Sequence, residues 1–371
     1  MIKFFLNKFS KIFLVLFLTI LVAELTAKIF VHLGLLDKGL PAWVTLRAHK
    51  DFGNWHPKNI TLDLEKKNCW TSTVSYNSLG MRKTSENTQQ KKNNLKKIAL
   101  LGDSMIENIE VTDGFDLGSL VQKKLKEYSV HNFSARGTGL ADQIEIYKNL
   151  IKSNNFDYLF LFLTENDIDN NVNGYTTIHH KRYDVVDNKI IEISKDKEFF
   201  DNYNSKFNII KRDYFLKFKK LDLYKVYLKF IYIFDVKKKE TKLINESKKI
   251  KKFELSEKKI MIYKKIKNDF LIEMDKNTNL IIFLNARPHI FEPDRSHDYK
   301  KEFLVNNFFK ETWKDNVNIY DPYLFTKKKL IDLDMYRFPY LSMDCDAHYS
   351  PTGADIYSDF IKETFLKTVK N

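Results

Sequence analysis

Four short blocks of the 371-residue chain hold side chains suited to acyl transfer. Gly102-Asp103-Ser104 places a hydroxyl directly after a short apolar run, Lys96 to Leu101. A Ser at such a strand-to-helix turn can attack a carbonyl once a base removes its proton, and its own N–H can face the developing anion. Asp346-Ala347-His348 offers an imidazole to take that proton and a carboxylate to orient the imidazole. Gly137 follows a second apolar run, Val130 to Phe133, and without a side chain its N–H can approach a reacting group closely. Asn166, in Glu165-Asn166-Asp167, offers a side-chain amide as a third donor after the run Phe156 to Leu163. Each block alone is commonplace: a loop Gly is usually a turn, and Asn-Asp after a strand is usually a helix cap. Their joint order and placement is what sets them apart.

The elements that must position these blocks can be read from the apolar pattern. Lys96 to Leu101, Val130 to Phe133 and Phe156 to Leu163 read as buried strands, the last apolar enough to be covered on both faces. Leu117, Leu120, Val121 and Leu125, then Ile144, Tyr147, Leu150 and Ile151, fall at helical spacing between them. Strand alternating with helix predicts right-handed βαβ units and a parallel sheet. The rhythm resumes with strands at Leu280 to Leu284 and Val317 to Tyr320, joined by a helix carrying Phe303, Leu304, Phe308 and Phe309. Ser350-Pro351 opens a last helix, Ser as N-cap and Pro at N1. The expected architecture is a three-layer α/β/α sandwich with a parallel five-stranded sheet. In an open parallel sheet the ligand crevice lies at the carboxyl ends of the strands, where the four blocks fall. A Lys- and Tyr-rich stretch from about 171 to 276 reads as a largely helical insertion, with aromatics such as Tyr203, Phe207, Tyr214, Phe215, Tyr224 and Tyr227 that pack a cap or stack on sugar rings.

Ser after strand one, Gly after strand two, Asn after strand three, and Asp with His before the last helix is a layout that resembles the SGNH hydrolases. That superfamily comprises the GDSL-type esterases and acetylesterases, and the likeness is to its membrane-anchored bacterial type. Asn77-Ser-Leu-Gly-Met-Arg82 is similar to its N-S-L-G-x-R element, and Gly53-Asn-Trp-His-Pro57 to its G-W-x-x-P lead-in. Asn132 to Gly139 is similar to the N-F-x-x-x-G-x-G block, and His348 to Gly353 to the H-x-S-P-x-G that opens the last helix. The likeness covers about residues 50–170 and 279–368. It implies the flavodoxin-like fold of that superfamily, with Ser104 as nucleophile and His348 as general base and then acid. It implies an oxyanion hole of the Ser104 N–H, the Gly137 N–H and the Asn166 side chain. No cofactor is expected, and no metal site is indicated, because His179 and His180 are adjacent and would point apart on a helix or strand. Two positions depart from the pattern. The usual D-x-x-H would put the acid at Cys345, so Asp346 is expected to serve, ahead of Asp344; and Glu165 stands where Gly is common.

Lys3, Lys8 and Lys11 precede an unbroken apolar stretch, Ile12 to Ala23, and the apolar pattern continues to Leu36. A basic flank before an apolar core reads as a Sec-type signal; the length, and the lack of an A-x-A site, favour an uncleaved span over a cleaved peptide. Glu24 and Lys28 are spaced to pair on one helix face. The Lys excess on the short side predicts a cytoplasmic N-terminus and an extracytoplasmic catalytic domain. The expected domains are a signal anchor over 1–40, a lead-in over 41–96 and a hydrolase domain over 97–371. Outside the cytoplasm Cys69 and Cys345 could form a disulfide.

Net charge is +14, from 62 Lys and Arg against 48 Asp and Glu. The excess is Lys in a chain rich in Ile, Asn, Phe and Tyr, a profile that AT-rich codons give by default, and no nucleic-acid module is present. Basic runs such as Lys237 to Lys239 and Lys248 to Lys252 read as solvated helical faces. No G-x-S-x-G elbow, P-loop, dinucleotide fingerprint or H-E-x-x-H occurs. The leading expectation is therefore an extracytoplasmic serine esterase removing a short acyl group, most simply acetyl, from envelope carbohydrate or another small ester. The alternatives are an O-acyltransferase beside an acyl-supplying membrane partner, which shares the acyl-enzyme, and an inactive carbohydrate-binding subunit.

Overall fold

The structure is a computed structural model, and it describes residues 2–33, 38–84, 95–172, 181–195, 200, 221, 222, 226, 255–285, 296–315, 317–333, 341–343 and 345–370. The chain divides into two compact units, Met1–Leu40 with Asn208–Lys252, and Pro41–Phe207 with Phe253–Asn371.

In the first unit, α1 (Ile2–His32) is one continuous helix. Its segment Ser10–His32 has a mean hydropathy of 2.3 and is only 11% buried, so it is long and apolar enough to cross a membrane. Glu24 is the acidic residue within that segment and is buried; its Oε1 accepts the backbone N–H of Asp222 at 3.0 Å. A hydrogen-bonded carboxylate costs less in an apolar setting than a bare one.

The second unit begins with two antiparallel hairpins, β1 (Arg47–His49) with β2 (Gly53–Trp55) and β3 (Ile60–Lys66) with β4 (Trp70–Tyr76). Five parallel strands follow. They are β5 (Lys96–Leu101), β6 (Tyr128–Asn132), β7 (Tyr158–Leu163) and, after a hairpin of β8 (Lys181–Val186) with β9 (Lys189–Ser194), β10 (Asn279–Leu284) and β11 (Ile319–Tyr320). Their spatial order is β6-β5-β7-β10-β11. Counted along the chain this is 2-1-3-4-5, the flavodoxin-like winding, whose strand order reverses between β5 and β7.

Alternation along the strands builds the two halves of the core. Ala99, Leu101, Leu159, Leu161, Leu163, Ile282 and Leu284 point to one face. There they meet α4 (Leu140–Ile146), α6 (Glu257–Glu273) and α7 (Ser296–Trp313). Ile98, Leu100, Phe160, Phe162, Ile281 and Phe283 point to the other. That face is covered by α2 (Ser104–Glu107), α3 (Leu117–Lys124) and α9 (Pro351–Thr368). Short α5 (Asn166–Asn170) follows β7, and α8 (Tyr323–Asp332) lies between β11 and α9. The three-layer sandwich expected from the alternation is the architecture observed. The fifth strand is shorter than expected, two residues in place of four.

The stretch read as a largely helical insertion needs correction at both ends. Its start holds the β8–β9 hairpin, whose Tyr183 is buried in the core. Its end holds α6, which presents Ile262, Tyr263, Ile266 and Phe270 to the sheet and is therefore a core-layer helix. The aromatics at 203, 207, 214, 215, 224 and 227 and the basic runs at 237–239 and 248–252 lie outside the described residues.

The start of α9 matches the sequence reading. Ser350 caps it, its side chain accepting the Gly353 N–H at 3.0 Å, with Pro351 in the first turn. Gly353 is obligatory for packing, because a Cβ there would sit 2.0 Å from the Leu341 carbonyl oxygen, a backbone atom that cannot swing away. Gly353→Ala is expected to push the helix off the Leu341 backbone and to cost about 3 kcal/mol, the upper end for overpacking. A thermal melt of the full chain checks this, and an unchanged midpoint would contradict the packing.

Candidate active site

The site is built on the carboxyl ends of β5, β6 and β7 around the point where the strand order reverses. Gly102 follows β5, and a Cβ there would meet Ile106 Cγ1 at 2.8 Å and Phe162 Cβ at 3.0 Å, so the turn closes only without a side chain. Asp103 is the N-cap of α2 and accepts the Met105 N–H at 2.9 Å. Ser104 is then the first helical residue, half-buried, with no preceding carbonyl in the helix for its N–H.

His348 comes from the opposite end of the sequence. It lies on β13 (Asp346–Tyr349), which pairs antiparallel with β12 (Ser342–Met343). Asn108 Nδ2 donates to the Tyr349 carbonyl at 3.0 Å, which ties β13 to the end of α2. The result is a hydrogen bond of 2.8 Å between His348 Nε2 and Ser104 Oγ. On its other side His348 Nδ1 is hydrogen-bonded to Asp346 Oδ1. Asp346 Oδ2 accepts from Lys66 Nζ at 2.9 Å and lies 3.4 Å from Trp70 Nε1. Asp344, the other candidate acid, lies outside the described residues.

The two remaining blocks occupy the neighbouring loops. Gly137 has φ +68°, a left-handed backbone that favours Gly, in a turn closed by Thr138 Oγ1 donating to the Ala135 carbonyl at 2.7 Å. That turn is fastened to the end of β5 by the Ala135 N–H on the Gly102 carbonyl at 3.2 Å. Asn166 opens α5 after β7 and is half-buried. Its loop is locked by Asp167 Oδ2, which accepts the Thr164 N–H at 2.7 Å. Glu165, in place of the common Gly, adopts an ordinary helical backbone with φ −55° and leaves that turn intact. The structure thus joins Ser104, His348 and Asp346 by direct hydrogen bonds and stands Gly137 and Asn166 on the adjoining loops.

Behind the imidazole is a buried charge network that the sequence did not announce. Glu110, 2% exposed, has Oε1 3.5 Å from His348 Nδ1 and 3.0 Å from Arg136 Nη2. Glu107 Oε2 accepts the Arg136 N–H at 2.8 Å, and its Oε1 takes the Tyr76 hydroxyl at 2.9 Å and lies 3.0 Å from His56 Nε2. Arg82 Nη1 donates to the carbonyl of Glu107 at 2.6 Å and to that of Asn108, and Nη2 to that of Val111 at 2.5 Å. His56 and Arg82 stand in the two lead-in motifs quoted above, so those motifs brace the segment behind Ser104 rather than touch the site. In them Gly80 has φ +82°, and a Cβ there would strike Trp55 Nε1 at 2.6 Å.

The electrostatics follow from this packing. Burial works against a charged His348, but the Glu110 charge and the hydrogen bond and charge of Asp346 outweigh it and raise the His348 pKa above its usual value, with Arg136 acting the other way. Burial likewise disfavours an ionised Asp346, yet the hydrogen bond and charge of His348, then those of Lys66, hold its carboxyl well below the usual range. For Glu107, too, burial is outweighed, by His56 first and then Arg136 and Tyr76, and its pKa is lowered to about 2.

Among the described residues, Glu110, Asp346 and His348 are the group whose donor atoms, all within 4.8 Å of one another, could hold a metal ion. Arg136 on Glu110 and Lys66 on Asp346 already place cations against the same carboxylates, which opposes a further one there.

No family model matches the chain, and neither does any curated protein. It is similar to the solved structure of a lipase/acylhydrolase from Enterococcus faecalis at 13% identity and a TM-score of 0.39, covering 73% of this chain and 95% of that one. It is similar to a member of the lipolytic protein G-D-S-L family from Veillonella parvula at 12% identity and a TM-score of 0.39, covering 73% and 98%. A third is a variant of an acetyl-xylooligosaccharide esterase from Geobacillus Stearmophilus, at 10% identity and a TM-score of 0.38, covering 72% and 93%.

Proposed function

We propose that the chain is a serine esterase of the SGNH type, held at a membrane by α1 with its catalytic unit outside the cytoplasm. The observation that carries this reading is the continuous relay of Ser104 Oγ, His348 Nε2 and Nδ1, and Asp346 Oδ1. His348 takes the Ser104 proton on Nε2 as Oγ bonds to the ester carbonyl carbon. The oxyanion that forms is received by the Ser104 and Gly137 N–H groups and the Asn166 side-chain amide. Collapse breaks the ester bond, and the leaving alkoxide takes the proton from His348 Nε2. A water then repeats the sequence on the acyl-enzyme, its proton passing to His348 and the acid leaving from Ser104. Asp346 holds the Nδ1 proton and balances the imidazolium throughout.

The proposed substrates are short-chain acyl esters, acetyl first, on carbohydrate of the cell envelope. The apolar α1, with Lys3, Lys8 and Lys11 on its short side, supports a catalytic unit held at that surface. Hydrolysis of p-nitrophenyl acetate by the full chain in detergent tests the reaction class. Ser104→Ala is expected to lower the rate by about 10⁴-fold or more. Equal rates for the two proteins would overturn the proposal.

A further inference from the structure

Relays of this kind ordinarily have one carboxylate on the imidazole; here two face the same nitrogen. Asp346 Oδ1 is hydrogen-bonded to His348 Nδ1, and Glu110 Oε1 stands 3.5 Å from the same atom. The two acids are held in different ways. The Asp346 side chain is 15% exposed and its other oxygen is tied to Lys66, itself half exposed. The Glu110 side chain is 1% exposed. Its Oε2 is buried with no hydrogen-bond partner among the described residues, while Oε1 is shared by Arg136 and the imidazole.

The placement of Glu110 is built into the backbone around it. Glu107 to Val111 carries it past the end of α2, and Arg82, 1% exposed, clamps that segment through the carbonyls of Glu107, Asn108 and Val111. Ser72 Oγ donates to the Ile109 carbonyl at 2.5 Å, which pins the residue just before it. A carboxylate confined in this manner, with one oxygen lacking a partner, is costly unless a positive charge appears beside it. Arg136 is one such charge. The imidazolium that His348 becomes when it takes the Ser104 proton is the second.

We propose that Glu110 is a second positioning carboxylate for His348: it stabilises the imidazolium from the buried side and accepts Nδ1–H when Asp346 is removed or displaced. This rests on the esterase reading above. Among the described residues, the ionisable groups facing His348 are Asp346 on its own strand, Glu110 on the segment after α2 and Arg136 on the loop after β6, with Lys66 behind Asp346. Replacing Glu110 by Gln removes one negative charge, keeps an amide oxygen for Arg136, and should make His348 easier to deprotonate.

The test is the pH dependence of fluorophosphonate labelling of Ser104 in the full chain, for the wild type, Glu110→Gln, Asp346→Asn and the double variant. Labelling needs neutral His348, so its rate falls as pH drops through the His348 pKa. In Glu110→Gln this acid limb is expected at about a tenfold higher proton concentration than in the wild type. Asp346→Asn alone is expected to slow labelling by about 10²-fold, and the double variant by about 10⁴-fold, the loss typical when no carboxylate remains. If Glu110 served only to neutralise Arg136, its variant would lower the melting temperature without moving the limb, and the double variant would be no slower than Asp346→Asn; either result overturns the inference while leaving the esterase reading in place. A wild type that does not label, or a Ser104→Ala variant that labels equally, overturns both together.

Discussion

Replacing His348 by Ala is expected to lower ester hydrolysis by about 10⁴-fold or more, with little change in folding. The imidazole makes the 2.8 Å contact to Ser104 Oγ and is the base within reach of that hydroxyl among the described residues. Without it the Ser104 proton has nowhere to go, and the alkoxide would have to leave unprotonated. The elements around it are anchored independently. The Ser350 cap, the Leu341 carbonyl accepting the Ser350 N–H at 3.0 Å, and the aromatic packing of Tyr349 on Tyr357 do not use the imidazole. Turnover and a thermal melt of the same preparation check both halves. A variant that keeps a tenth of the wild-type rate would show that another base serves Ser104.

Reduction of the Cys69–Cys345 disulfide is expected to affect stability and turnover together. The bridge joins Cα atoms 5.5 Å apart and closes a loop spanning 276 residues. On the chain-entropy model a loop of this length stabilises by about 6 kcal/mol, an upper figure because denatured chains retain some structure. Its position gives it a second role. Cys345 precedes Asp346, Cys69 precedes Trp70, and Lys66 Nζ donates both to the Cys345 carbonyl at 3.1 Å and to Asp346 Oδ2 at 2.9 Å. The bridge therefore holds the β3–β4 turn against the acid that orients His348. Loosening that acid by about 1 Å is expected to slow turnover by about 10²-fold. Cys345 is exposed and within reach of a reductant. Activity and melting with and without dithiothreitol, alongside Cys69→Ser, check this. Full activity after complete reduction would show that β13 holds Asp346 unaided.

Much of this fold could be read from local pattern because its strands are apolar on both faces and its last helix has a strong cap. β7 is buried at all six positions, and Ser350, Pro351 and Gly353 each act where their chemistry places them. The site was legible as four blocks because sheet topology gathers strand ends, whatever their separation in sequence. What escaped depends on tertiary placement. In α6 the buried residues Ile262, Tyr263, Ile266 and Phe270 do fall on one helical stripe, but the surrounding Lys residues left the stretch within the helical insertion. The β8–β9 hairpin turns at Asp187-Asn188, both with positive φ, a signal that composition alone hid. Glu110 follows no motif: the clamp of Arg82, the Ser72 hydroxyl on Ile109 and the Arg136 guanidinium, all distant in the chain, place it beside His348. Arg136 was visible beside Gly137 yet carried no sign of its two carboxylate partners.

The most direct measurement is the intact mass of the full-length chain in detergent after treatment with a fluorophosphonate, with Ser104→Ala treated in parallel. An activated Ser104 gives a single adduct on the wild type and none on the variant. A folded wild type that gains no mass, or a variant that gains the same mass, would contradict Ser104 as the nucleophile.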